Sequence, residues 1–184
     1  MSARTEPEPQ AEPTRKPLGA RVLAELRSWL WTFLVVLLLW MTIQSLRGGA
    51  DMQGQAPDFA LVDTKGQRVA LTDLRGKPAV LYFWASWCTA CKLTSPSIDA
   101  FARAHPDVPV LGIAEDEAAD VQAYLASTPR TFRTALATQS ITRAYRVRAL
   151  PTTIVLDGHG KVVWSRVGVV LPFELGWHVP DGGR

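Results

Sequence analysis

Cysteine and histidine are scarce in this 184-residue chain, which has two of the first and three of the second. Two cysteines exclude a zinc site made of cysteine alone, which takes four ligands. His105, His159 and His178 show no ligand spacing that would complete one with Cys88 and Cys91. Charge of one sign is not in excess either. From Asp51 onward fourteen Lys/Arg stand against thirteen Asp/Glu, which leaves no basic surface for a nucleic acid. Two further shortages are local. Residues 1–20 have few large apolar side chains and are rich in Pro and Glu (Glu6-Pro7-Glu8-Pro9, Ala11-Glu12-Pro13). They hold no core, and residues 1–27 read as a disordered tail. Residues 28–46 carry no charge at all.

The uncharged stretch is apolar from Trp29 to Ile43 apart from two threonines. At 1.5 Å per residue it spans roughly 28 Å, close to the hydrocarbon thickness of a bilayer. Trp29, Trp31 and Trp40 lie toward its ends, where indole rings favour the interface. A cleaved signal peptide has a shorter leader and a shorter apolar core, so 28–46 reads as an uncleaved single-pass anchor. Arg15, Lys16, Arg21 and Arg27 precede it and only Arg47 follows closely. The positive-inside rule then keeps residues 1–27 in the cytoplasm and sends the rest across the membrane, into an oxidising space that permits disulfides.

Residues 47–56 read as a Gly/Gln linker, 57–179 as a folded domain and 180–184 as a frayed end. Alternation over 58–63 and 67–71 around Thr64-Lys65-Gly66 predicts a β-hairpin. Ala79–Trp84 and Val110–Ala114 predict buried strands. A helix is expected from Cys88, with a kink at Pro96, and another after the acidic run Glu115-Asp116-Glu117, which reads as a solvent-facing helix N-terminus. A short strand near 132–136, a helix over 140–145 and a second hairpin (151–157 with 161–167) follow. Leu171–Val179 predicts a short helix weakened by Gly176. This order predicts an α/β domain with a mixed central sheet and helices on both faces.

Trp87-Cys88-Thr89-Ala90-Cys91 sits at the junction of the first buried strand with its helix. A Cys-x-x-Cys there suits thiol–disulfide exchange, because the helix N-terminus favours a thiolate at Cys88. Two inert readings compete: half of a zinc site, and a structural disulfide, which would remove little chain entropy from so small a loop. In the redox reading Cys88 is exposed and attacks, Cys91 resolves, and the pair needs no separate cofactor.

The stretch Phe83-Trp84-Ala85-Ser86-Trp87-Cys88-Thr89-Ala90-Cys91-Lys92 resembles the active site of the thioredoxin superfamily. Pro96 stands where that family's helix is kinked, Leu150-Pro151-Thr152 resembles its cis-proline loop, and Gly168 matches the glycine closing its last strand. The leading hairpin, the inserted helix near 117–126 and the anchor resemble the tethered branch with the TlpA, ResA and DsbE proteins, most of all the suppressor-of-copper-sensitivity D proteins. The resemblance implies a thioredoxin-like fold after one transmembrane helix in a bacterial inner membrane, with the domain in the periplasm. It implies a reductase of protein disulfides, with Trp87, Leu150 and Pro151 meeting substrate and a membrane thiol transporter supplying electrons.

Three departures narrow the family reading. Tyr82 occupies the position of thioredoxin's buried Asp, so proton transfer at Cys91 needs water or another group. Thr94 stands near the Glu of the cytochrome c maturation reductases, which weakens that alternative. Ala85 replaces the Thr that thiol peroxidases place three residues before their reactive cysteine. The other alternative is a metal-handling module like the tethered copper chaperones, whose Cys-x-x-x-Cys is one residue longer.

Overall fold

A computed structural model describes residue 27 and residues 29–41 and 52–180. The chain divides into two compact units, with the boundary between Leu46 and Arg47. In the first, residues 29–41 are helical, and their large side chains, Trp29, Trp31, Phe33 and Trp40 among them, are exposed. Among the described residues no helix is long and apolar enough to cross a membrane. The expected anchor extends past this helix at residue 28 and at 42–46, which lie outside the described residues. So do the tail up to residue 26, positions 47–51 of the linker, and 181–184.

The second unit is built on a six-stranded sheet ordered β1-β8-β7-β4-β5-β6. Its centre is β4 (Ala79–Trp84), with every residue buried. Strand β5 (Val110–Ala114) pairs parallel to β4, and β6 (Arg133–Leu136) parallel to β5. On the other side β7 (Thr152–Leu156) and β8 (Lys161–Val167) continue antiparallel. Central strands covered on both faces read as unbroken apolar runs, which is why 79–84 and 110–114 stand out in the sequence. Gly112 in β5 is a packing requirement: a Cβ there would lie 2.8 Å from the Phe132 ring and 3.0 Å from the Trp84 indole nitrogen.

Strand β1 (Gly54–Gln55) pairs antiparallel with β8. The stretch expected to be linker, 47–56, therefore ends inside the sheet. Gly54 takes a positive φ of 93°, and the Ala56 N–H reaches the Gly160 carbonyl at 2.9 Å. Strands β2 (Ala60–Val62) and β3 (Arg68–Ala70) form the expected hairpin as a separate two-stranded sheet. Asp63 ties that hairpin to the main sheet. Its carboxylate accepts the Lys65 and Gln67 N–H groups at 2.9 and 2.8 Å and Arg133 Nε at 2.8 Å. Tyr145 adds a second tie, donating its hydroxyl to the Pro57 carbonyl at 2.8 Å.

Side chains alternate along the strands between two buried clusters. On one face Leu81, Phe83, Leu111, Ile113, Ile154 and Leu156 pack with Ile141 and Tyr145, from α3 (Gln139–Ala144) and its C-cap. On the other, Val80, Tyr82, Trp84 and Val155 pack with residues of three further helices. These are α1 (Thr89–Ala104), α2 (Ala118–Ser127) and α4 (Pro172–His178). Helices thus lie on both faces, as expected. Helix α1 continues through Pro96, whose missing N–H leaves the Lys92 carbonyl without its intrahelical bond. Gly176 does not prevent α4, which starts with Pro172 at its first position, where proline's fixed φ suits a helix.

Candidate active site

The parallel strands β4 and β5 point their carboxyl ends at the turn before α1. From Trp84 the chain leaves β4 through Ala85, Ser86 and Trp87, and the Cys88 N–H returns to the Ala85 carbonyl at 3.3 Å. Cys88 is the N-cap of α1 in extended conformation, φ −80° and ψ 109°. Its Sγ accepts the Cys91 N–H at 3.1 Å, doing with sulfur what a serine oxygen does at other helix starts. Cys88 and Cys91 are joined as a disulfide, with Cα atoms 5.2 Å apart. The sulfur that accepts an N–H and faces the positive end of a sixteen-residue helix is the one whose thiolate is stabilised on reduction.

Accessibility separates the two cysteines. Cys91 is 0% exposed and Cys88 7%. The expectation of an exposed Cys88 is corrected to an edge that is nearly covered. The disulfide draws its Sγ over the first turn of the helix, and Leu150 packs against the same buried cluster. Only Cys88 offers any surface to a reaction partner. Trp87 beside it is 67% exposed, so its ring stands in solvent next to the disulfide.

Leu150 and Pro151 come from the other end of the domain. The peptide between them is cis, as the resemblance implied. The Pro151 carbonyl accepts the Gly168 N–H at 2.8 Å, and the Thr152 hydroxyl bonds the Ala149 carbonyl at 2.7 Å. Leu150 packs against both buried clusters. The structure therefore brings Cys88, Cys91 and the Leu150–Pro151 loop together, with Trp87 at the rim.

Two contacts were not legible in the sequence. Tyr82, wholly buried, donates its hydroxyl to the Cys91 carbonyl at 3.1 Å and lies 3.2 Å from Ser95 Oγ. Burial, opposed in part by the Ser95 hydrogen bond, pushes its pKa up to about 12, so near neutral pH it is a donor and not a base. The position that holds a carboxylate in thioredoxin here clamps β4 to the first turn of α1.

The second contact corrects the reading of the acidic run. Glu117 is the N-cap of α2 without a side-chain bond, while Asp116 turns back and accepts the Ser86 N–H at 2.5 Å. A charge-assisted bond thus holds the loop that carries Trp87 and Cys88. Asp116→Ala is expected to slow reaction with a disulfide substrate about five-fold, since a loosened loop misplaces the attacking sulfur. Asp116→Asn, whose amide oxygen still accepts, should keep most of the rate. Equal rates for Asp116→Ala and the unaltered protein, measured by stopped flow, would show that the loop holds itself.

Among the described residues no three His, Cys, Asp or Glu side chains are placed to hold a metal ion. His105 packs on Phe101 with ring centroids 4.5 Å apart, and His178 stacks on Trp164 at 4.7 Å.

Comparison with known proteins agrees with this geometry. The model of the AhpC/TSA family matches residues 52–165. The thioredoxin-like protein YneN of Bacillus subtilis is 29% identical over 162 residues, covering 82% of this chain and 95% of that protein. The thiol-disulfide oxidoreductase ResA of the same organism is 34% identical over 125 residues, covering 65% and 67%. Among solved structures, one described as the thiol:disulfide interchange protein DsbE of Chlorobium tepidum superposes with a TM-score of 0.63 at 30% identity, covering 69% and 92%.

Proposed function

The chain belongs to the AhpC/TSA family, as a thioredoxin-like thiol-disulfide oxidoreductase of the ResA/DsbE/TlpA branch, and we propose that it is a membrane-tethered reductase of extracytoplasmic protein disulfides. One observation carries the chemistry: a disulfide at the start of α1 in which Cys88 alone reaches the surface. The Cys88 thiolate of the reduced protein attacks a substrate disulfide and releases one substrate thiolate. A mixed disulfide joins Cys88 to the other substrate sulfur. The Cys91 thiol gives up its proton and attacks Cys88 Sγ, which frees the second substrate thiol and re-forms Cys88–Cys91. Two electrons pass to substrate, and the pair is its own carrier without a further cofactor. A membrane thiol transporter returns the two electrons.

The tether and its direction rest on the uncharged stretch 28–46 and the basic residues before it. The periplasmic face of a bacterial inner membrane and kinship with the suppressor-of-copper-sensitivity D proteins belong to the same reading. Trp87 and the Leu150–Pro151 loop flank Cys88 and are the surfaces a substrate strand would meet. Peroxide reduction is not favoured within this family, since Ala85 precedes Cys88 by three residues.

The test is a trap. Cys91→Ala, produced in its native compartment, leaves Cys88 able to attack but unable to be released. Client proteins should then accumulate as mixed disulfides on Cys88, cleaved by dithiothreitol on a non-reducing gel. Recovery of no adduct would sink the proposal.

A further inference from the structure

Strand β7 places an unused polar group on the sheet face that α1 covers. Along it Ile154 and Leu156 belong to the cluster against α3, and Val155 to the cluster that contains Cys91. The period of two therefore turns Thr153 toward the face of Val155, the face covered by α1. Thr153 stands directly opposite Tyr82 in the antiparallel β4–β7 pairing, and residues so paired share a side of the sheet. Tyr82 in turn bonds the Cys91 carbonyl. Thr153 is 0% exposed, and its Oγ1 has no hydrogen-bond partner among the described residues. The hydroxyl of Thr152 next to it is satisfied.

A buried hydroxyl left unpaired is costly, because it gives up its bonds to water and gains none in return, so its presence asks for a state in which it is used. The oxidised protein offers none, because the Cys91 sulfur is bonded to Cys88. Reduction creates one. The Cys91 sulfur then becomes a thiol or thiolate in a site with no exposure, which needs a donor that water cannot supply. Tyr82 spends its proton on the Cys91 carbonyl. From this placement we infer that the Thr153 hydroxyl donates a hydrogen bond to the Cys91 sulfur once the disulfide opens, selectively stabilising the reduced protein. The inference rests on the proposed role of Cys91 as resolving thiol. In the resolving step the donated bond steadies the Cys91 thiolate. Its sulfur then bonds Cys88 Sγ, the Cys88–substrate bond breaks, and the departing substrate thiolate takes up a proton. The Thr153 hydroxyl keeps its own proton throughout.

Thr153→Val tests this, because valine keeps the shape and removes the hydroxyl. The redox equilibrium of the full chain with dithiothreitol should shift about tenfold toward the disulfide, about 30 mV more negative. Thr153→Ser should stay within about twofold of the unaltered protein. In urea the oxidised Thr153→Val protein should be at least as stable as the unaltered one, and the reduced protein less stable. An unchanged equilibrium, or equal stability losses in both redox forms, would overturn the inference. If Thr153→Val does not fold, Thr153→Ala and Thr153→Ser, which both drop the methyl, isolate the hydroxyl. The same tenfold gap between them is expected, and no gap overturns the inference. A failure of the unaltered protein to exchange with dithiothreitol at all would instead overturn the thiol–disulfide reading beneath it.

Discussion

Cys88→Ser is expected to abolish disulfide exchange, lowering the rate by on the order of 10³-fold or more, the scale on which loss of a covalent nucleophile is felt. Thiol–disulfide exchange runs through a thiolate, and a serine hydroxyl at the helix N-terminus stays un-ionised. The fold should tolerate the change, because serine is a favoured N-cap and its oxygen would take over the Cys91 N–H that Sγ accepts now. Unfolding of the dithiothreitol-treated variant and of the reduced unaltered protein should therefore coincide within about 1 kcal/mol. The check is reduction of a protein disulfide followed by the appearance of free thiols. Residual activity above one-tenth would move the nucleophile elsewhere, and Cys91, at 0% exposure, would be a poor replacement.

The largest stability effect is expected at Asp99, on the buried face of α1 and about two turns beyond Cys91. It is buried and accepts the Thr131 N–H at 2.6 Å, the Thr131 hydroxyl at 2.8 Å and the Arg103 guanidinium. The two Thr131 bonds fasten α1 to the segment that leads into β6, while the Arg103 bond lies within α1. Asp99→Ala removes all three, and the cost should be about 3 kcal/mol. The urea midpoint should fall by about 1.5 M with an unchanged slope. A fall below about 0.5 M would mean that solvent replaces the bonds.

The same carboxylate sets a pH dependence. Burial alone would raise its pKa, but Thr131 and Arg103 outweigh burial and hold it below the usual carboxylate range. Asp63 is lowered likewise, with burial outweighed by the Gln67 and Lys65 N–H groups and Arg133. A carboxylate whose pKa is depressed on folding contributes stability above its unfolded value, near pH 4, and loses it as pH falls through the folded value. Stability should thus be flat near neutrality and decline below about pH 4. Asp99→Asn should decline less steeply, as denaturation at a series of pH values would show.

Local chemistry made much of this protein legible in one dimension. The strand runs 79–84 and 110–114 are apolar because parallel strands are covered on both faces. Alternation around Thr64-Lys65-Gly66 marks a hairpin, and the spacing of Cys88-Thr89-Ala90-Cys91 after a strand points to thiol–disulfide exchange ahead of two inert readings. These features depend on neighbours in sequence, so periodicity and spacing are enough. The edge strand β1 escaped notice because two residues, Gly54 and Gln55, leave no periodicity. They become a strand only through the partners that β8 offers.

The contacts that adjust the site have a different origin. Asp116 reaches Ser86 across thirty positions, Tyr82 reaches Ser95 across thirteen, and Thr153 meets Tyr82 only through the β4–β7 register. In the sequence Asp116 is one acid in a run of three and Tyr82 one aromatic in a strand. What they do depends on which side chain the packed sheet sets against them. Sequence alone determined that a Cys-x-x-Cys would begin a helix after a buried strand, because that pattern is local. Only the tertiary structure decided how nearly Cys88 is covered and which distant polar groups hold the first turn of α1, because burial and hydrogen-bond partners exist only once distant segments have packed together.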